Sequence, residues 1–398
     1  MGKKSSACGE YAEGIRRKAP FDEARGRQGV RPIFLQWVMH TEDMKHTLQL
    51  KRLIPWALLM PAVLLTLSGC RVAYVLHAAA GQFRLLNGSV PIEKVMKEDT
   101  LTPIQKDQLS LVAAVKAFGE DELGLKKTAS YETIYLGSNE SPIYVVSAAP
   151  KDRLTLITWW FPVVGRMPYL GFFDLNRAKA EKEKLLERDL DTIIGQAEAY
   201  STLGWFQDPV TLNLIDGSSL SLVETILHEM THATLYVKGQ GEFNEGLAVL
   251  VGKRGAFLFM EKTYGSSHPL TVEAAKSLHD EALFSSFLAS LLEELEDLYN
   301  SPKTYEEKLA QRERIFARAL QEFGALKSRL KTARFLAFEK RSLNNAYLMA
   351  LGLYHRHYHT FESVLKKRDN AVKPMLSFLK DFVKEDGHIM ERLQSWLE

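Results

Sequence analysis

Cysteine is nearly absent: the 398 residues include two, Cys8 and Cys70, both ahead of everything that reads as folded. A disulfide framework is therefore excluded, because one bridge between two leading residues would staple nothing. Neither sign of charge dominates, since 51 basic and 49 acidic residues leave a formal net charge of +2 and no long block of one sign. Nucleic-acid binding needs a basic face, so it is set aside. A Gly/Ser-rich linker and internal repeats are also lacking, which points to one continuous folded unit. The apolar run Leu53 to Leu67 is short for a bilayer crossing and is broken by Pro55 and Pro61. The chain as a whole, 46% hydrophobic and 25% charged, suffices for one large or two medium domains.

That apolar run has another reading. The positive segment starting at Met44 precedes it and Leu67-Ser68-Gly69-Cys70 closes it, the layout of an exported segment. Leu-Ser-Gly-Cys resembles a bacterial lipobox, in which the cysteine thiol is lipid-modified and becomes the first residue after cleavage. Arg71 is not the aspartate associated with inner-membrane retention of such lipoproteins, so the resemblance implies attachment to the outer membrane facing the periplasm. Residues 1–43 are polar and aperiodic and stand upstream of a complete signal. The expected division is a disordered or mis-called extension over 1–43 with Met44 as the true start, a signal peptide over 44–69, and the folded unit over 70–398.

Within the folded unit, Val72 to about Val115 is helical in character with a break at Pro91. A β-leaning region follows, with strands expected over Tyr131–Leu136, Ile143–Ser147, Leu154–Trp160 and Tyr169–Phe173. Ala178–Ala199 has helical spacing, and Thr211–Ile215 reads as a short strand. A helix over Ser221 to about Val237 follows, with Ser221 and Glu224 spaced as a capping box. Beyond Gly265 helices are expected over His279–Tyr299, Tyr305–Ala333 and Asn344–Leu365, their charge-rich faces solvated. The fold class is α+β and predominantly helical, with a small β-sheet, active-site helices over about 221–264 and a helical C-terminal part over about 270–398.

The chemistry concentrates in His228-Glu229-Met230-Thr231-His232. Histidines four apart on a helix are neighbours on one face, so both imidazoles reach one metal ion, and the glutamate beside that face is free to act on water. Val223, Ile226, Leu227, Met230, Ala233 and Val237 form an apolar stripe nearly opposite the histidines, which therefore face a cleft. So short a motif arises by chance often enough that a third ligand is needed. A catalytic zinc takes three protein ligands and keeps a fourth position open, and His₂Glu is a standard set. Phe243-Asn244-Glu245-Gly246-Leu247-Ala248 resembles the Asn-Glu-Gly-x-Ala signature around the third ligand of gluzincin aminopeptidases, which makes Glu245 the candidate. Twelve residues separate it from His232. A helix rising about 8 Å past His232 and a Gly239/Gly241 loop descending about 20 Å would close that return, though tightly. One zinc per chain is expected, with Glu229 as general base. A donor for the developing oxyanion is sought among Tyr354, the best placed, and Tyr236 and Tyr347. His355 and His359 share a helix face, but no carboxylate or cysteine completes a second metal site, and the run is read as a solvated polar face.

Several segments together resemble a family of bacterial putative aminopeptidases described as lipoproteins: residues 67–70, 78–82, 161–166, 169–174, 204–209, 228–252 and 344–355. The resemblance implies a zincin-like core, a peptide substrate, a lipid anchor at Cys70 and ligands at His228, His232 and Glu245. Two departures stand out. Val249 occupies the position, four residues after Glu245, where many gluzincins place an acidic partner for a zinc-binding histidine, and no Gly-x-Met-x-Asn segment grips a free amino terminus. The expected activity is peptide hydrolysis as an aminopeptidase. The alternatives are a zinc endopeptidase and an envelope binding or assembly lipoprotein that keeps the fold without turnover.

Overall fold

The computed structural model describes residues 81–398 apart from 82, 138–143, 162–164 and 197–206. The expected extension, the signal segment and Cys70 lie outside the described residues. Among those described, no helix is long and apolar enough to cross a membrane.

The order of elements is β1 (Ser89–Pro91), α1 (Ile92–Val95), α2 (Pro103–Asp121), β2 (Thr133–Tyr135), β3 (Tyr144–Pro150), β4 (Trp159–Phe161), β5 (Gly165–Met167), β6 (Leu170–Phe172), α3 (Leu175–Leu186), β7 (Leu190–Gln196), β8 (Val210–Thr211), α4 (Leu212–Ile215), α5 (Ser219–Thr234) and α6 (Gly241–Tyr264). Then follow α7 (Pro269–Asn300), α8 (Tyr305–Lys327), a 3₁₀ turn (Phe338–Lys340), α9 (Asn345–His355), α10 (Tyr358–Lys366), α11 (Val372–Phe382) and α12 (Ile389–Leu397). With 61% helix and three small sheets, the class is α+β and predominantly helical, as the sequence implies.

The sheets are minor and differ from expectation in detail. β2 pairs antiparallel with β1 and parallel with β8, while β3 pairs antiparallel with β6 and β7, and β4 with β5 forms a hairpin. The helix expected over Ala178–Ala199 stops at Leu186, and Leu190–Gln196 is a strand instead. Asp189 turns the chain in the left-handed region (φ 57°), and β7 then pairs with β3 along its whole length, from Pro150↔Leu190 to Tyr144↔Gln196. The β-branched run Thr192-Ile193-Ile194 suits that partner, so pairing overrides the charge alternation that reads as helix. Thr211–Ile215 is likewise mostly helical, and Asn344–Leu365 divides into α9 and α10 around Arg356-His357.

Two apolar clusters organise the helices. One joins α5 and α6 to α2 and to α10, α11 and α12; the other joins α7, α8 and α9, where Phe284 stacks on Phe335 with centroids 4.1 Å apart. Asn345 ties the second cluster to the β3–β7 sheet. This fully buried side chain accepts from Tyr299 Oη at 2.8 Å and donates to the Pro150 carbonyl at 2.9 Å, while its backbone N–H reaches Asp191 at 2.9 Å.

α5 and α6 approach closely because Gly252 lies at their crossing. A Cβ there would stand 2.8 Å from the Glu224 carbonyl oxygen and 3.3 Å from His228 Cβ. The absent side chain thus sets the spacing of the two helices that carry the metal-ligand candidates.

Candidate metal centre

α5 begins one turn earlier than its sequence suggests. The N-cap is Ser218, whose hydroxyl accepts from Ser221 N–H at 3.1 Å, so the expected Ser221/Glu224 box does not form. Glu224 points inward instead, 5% exposed, and meets Lys253, Ser277 and Arg334. The helix ends at Thr234, with Leu235 extended (φ −148°, ψ 108°), so the chain turns back three residues before Val237. Asn244, nearly fully buried, clips this return: its side-chain oxygen accepts from Val237 N–H and its amide donates to the Val237 carbonyl, both at 2.8 Å. The early end and the clip bring Glu245 back beside the histidines with less loop than an extended descent requires. Val223, Ile226, Leu227 and Met230 are buried as the stripe implies, whereas Ala233 lines a small cavity and Val237 lies beyond the helix.

The structure assembles His228, His232 and Glu245. The Nε2 atoms of the two histidines are 3.1 Å apart, and Glu245 Oε2 is 3.3 Å from His228 Nε2 and 3.4 Å from His232 Nε2. A tetrahedral zinc with ligand bonds of about 2.0–2.1 Å has ligand–ligand edges of about 3.3 Å. The three distances therefore match one face of that tetrahedron, and three lone-pair-bearing atoms converge where a cation would serve all of them. This is the one group of metal-ligating side chains found among the described residues. His232 is 5% exposed, while the side chains of His228 and Glu245 keep 17% and 20%, so the face opens on their side.

The charges fit. Burial alone would push the Glu245 carboxyl up, but the His232 and His228 imidazoles outweigh it and hold the group well below the usual carboxylate range. Burial pulls His232 down, and Glu245 more than compensates, with a smaller push from Glu229, so its ring is raised above the ordinary histidine value. One weakness is visible: His232 Nδ1 is buried with no hydrogen-bond partner among the described residues. Val249, buried and apolar, stands where an acidic partner is common, so among the described residues no carboxylate orients the ring from its Nδ1 side.

Glu229 turns to the neighbouring face of α5 and lines a cavity of about 10 Å³ with Thr128, Ser130, Tyr131, Asp208, Met230 and Ala233. That volume accepts one water-sized group. Ser130 Oγ accepts from Asp208 N–H at 3.2 Å, and Tyr131 N–H donates to the Asp208 carbonyl at 2.7 Å. Tyr131 is held in the left-handed region (φ 67°), and burial first, then the nearby Glu229 and Asp208, drives its hydroxyl well above the ordinary tyrosine value. Strain of this kind persists where the surroundings over-determine it. Sequence reading missed this wall, because Tyr131 reads there as one more strand residue; only the turn chemistry at Asp208-Pro209 hints at it.

Of the three tyrosines considered, Tyr354 stacks on His228 (centroids 6.2 Å, 27°) and Tyr236 meets His232 edge-on at 6.5 Å. Tyr347 does not reach the centre; it packs on Phe338, and Arg341 lies over its ring. The solvated reading of the 355–359 run is corrected. A carboxylate does meet His355, namely the fully buried Glu281, and His355 lies edge-on to Phe284 and Phe335 at 5.3 and 5.6 Å. His359 goes elsewhere, to Ser286, so the two histidines share no ligand. Asp280 and Glu281 are both fully buried on a stretch whose charges read as solvated.

The family described as putative aminopeptidase matches residues 73–389, and the chain belongs to it. No curated protein and no solved structure matches the chain.

Proposed function

We propose that this member of the family hydrolyses peptide bonds as a zinc-dependent aminopeptidase with a zincin-like core. The observation that carries the reading is the triangle of His228 Nε2, His232 Nε2 and Glu245 Oε2, with edges of 3.1, 3.3 and 3.4 Å. Those three residues would hold the ion. A bound zinc would supply Lewis acidity, easing deprotonation of water and polarising a carbonyl at neutral pH. Glu229, next to His228 and lining the water-sized cavity, accepts the proton of the attacking water and returns it to the departing amine. Tyr354, over His228, donates to the carbonyl oxygen as that oxygen gains charge. A base beside the ligands has no purpose in a closed structural site, which favours turnover over a binding role.

The second part of the proposal concerns place and organisation: a signal over 44–69, lipidation at Cys70, a catalytic domain over 70–398 and outer-membrane attachment facing the periplasm. The support is the order of a positive segment from Met44, the apolar run Leu53 to Leu67 and Leu67-Ser68-Gly69-Cys70.

Glu229→Gln tests the chemistry. The purified variant should retain about one zinc per chain and lose peptide hydrolysis by about two to four orders of magnitude. Wild-type turnover in that variant would remove Glu229 as base, and wild-type protein devoid of zinc would remove the metal. Aminoacyl-chromophore substrates against N-blocked peptides separate exopeptidase from endopeptidase action.

A further inference from the structure

The run His355-Arg356-His357-Tyr358-His359, which the metal centre does not use, spans the turn from α9 to α10, and its polar side chains are pinned to the helices beneath. His355 Nδ1 donates to Glu281 on α7. Arg356 grips Glu296 of α7 through both terminal nitrogens, at 2.7 and 2.6 Å. His357 Nε2 donates to Glu242 on α6 at 3.1 Å, and His359 Nε2 lies 2.7 Å from Ser286 Oγ. Tyr354, immediately before the run, is 37% exposed and stacks on His228.

The innermost pin belongs to a buried ionic network. Glu281 also meets Lys253 Nζ at 3.2 Å and Ser285 Oγ at 3.2 Å; Lys253 lies 3.5 Å from Glu224 and 3.1 Å from Ser277, and Arg334 closes on Glu224. Glu224 and Glu281 are balanced by Lys253 and Arg334 before His355 is counted. Burying such charges carries a desolvation penalty, and apolar packing would serve stability as well or better. What an ionic network adds is direction: fixed donors and acceptors allow one arrangement of the elements that carry them. The network spans both ligand helices, through Glu224 one turn before His228 and Lys253 two turns after Glu245, and it ends at His355.

Tyr354 stands in the last turn of α9, one residue before His355, and last turns fray unless tied. We infer that His355, held by Glu281, is a positioning residue that sets Tyr354 against His228. This rests on the role proposed for Tyr354.

The test is a double-mutant cycle on the zinc-loaded enzyme with an aminoacyl-chromophore substrate, using Tyr354→Phe, His355→Ala and both together. His355→Ala should lower kcat about ten- to a hundredfold, the scale of a roughly 1 Å misplacement, with KM and zinc content unchanged. In the Tyr354→Phe background it should lower kcat no further. His355→Asn, whose amide can donate from the place of Nδ1, should restore most of the activity. If His355→Ala does not fold, Glu281→Gln is read in its place and should show the same dependence on Tyr354. Losses that multiply in the double variant, or unchanged kcat in His355→Ala, overturn the positioning role. Unchanged kcat in Tyr354→Phe overturns the assignment of Tyr354 itself, so the two failures are distinct.

Discussion

Adding one methyl group at Gly252 should weaken the candidate metal centre without touching any of its three candidate ligands. The Cβ of Gly252→Ala would lie 2.8 Å from the Glu224 carbonyl oxygen, whereas carbon–oxygen contacts settle at about 3.3 Å. The obstacle is backbone and cannot swing away, so α5 and α6 must part by about half an ångström, and overpacking of this kind costs about 1–3 kcal/mol. The shift acts selectively on the centre. The His228–His232 edge lies within one helix and stays at 3.1 Å, but the 3.3 and 3.4 Å edges to Glu245 span the two helices and must widen. Metal sites tolerate about 0.2 Å, so zinc affinity should fall about ten- to a hundredfold. Competition titration with a chromophoric chelator reads the affinity, and urea unfolding in excess chelator reads the packing cost separately. Gly324→Ala is the control: its Cβ meets nothing within 4 Å, and an alanine inside α8 should stabilise by about 0.5–1 kcal/mol. Gly252→Ala with wild-type affinity and stability would refute the claim that this contact sets the helix spacing.

Other perturbations follow from the same geometry. Asn345→Ala strands the Tyr299 hydroxyl and the Pro150 carbonyl and should cost about 2–3 kcal/mol in chemical unfolding, a loss below about 0.5 kcal/mol contradicting its tie to the sheet. Ser218→Ala removes the α5 N-cap and should cost about 1 kcal/mol by the same measurement, and no change would mean that another group caps the helix. Burial pushes Glu224 and Glu281 up, but Lys253 with Arg334 around the first and His355 with Lys253 around the second hold both carboxyls below their ordinary values. Their contribution is therefore complete above about pH 4.3 and is lost as pH falls below it. Urea midpoints of the zinc-free protein measured across that range should drop steeply, and Glu281→Gln should flatten the slope; parallel curves would argue against the paired carboxylate.

The constellation was legible locally because a helix repeats every 3.6 residues, which places His228 and His232 together whatever surrounds them. Glu245 was legible through the residues flanking it, and the helical class through periodicity. The errors share one physical origin, interactions between residues distant in sequence. β7 became a strand because β3 lies beside it, Glu224 left its cap because Lys253 and Arg334 await it inside, and His355 is buried because Glu281 faces it from α7. None of these partners lies within a helical turn of the residue it redirects, so no local pattern announces them. The sequence alone pointed to the three side chains that could hold a cation and to the helices that carry them. The tertiary structure decided their spacing, through the bare Cα of Gly252 and the Asn244 clip, since a few tenths of an ångström between two helices depends on every side chain packed between them.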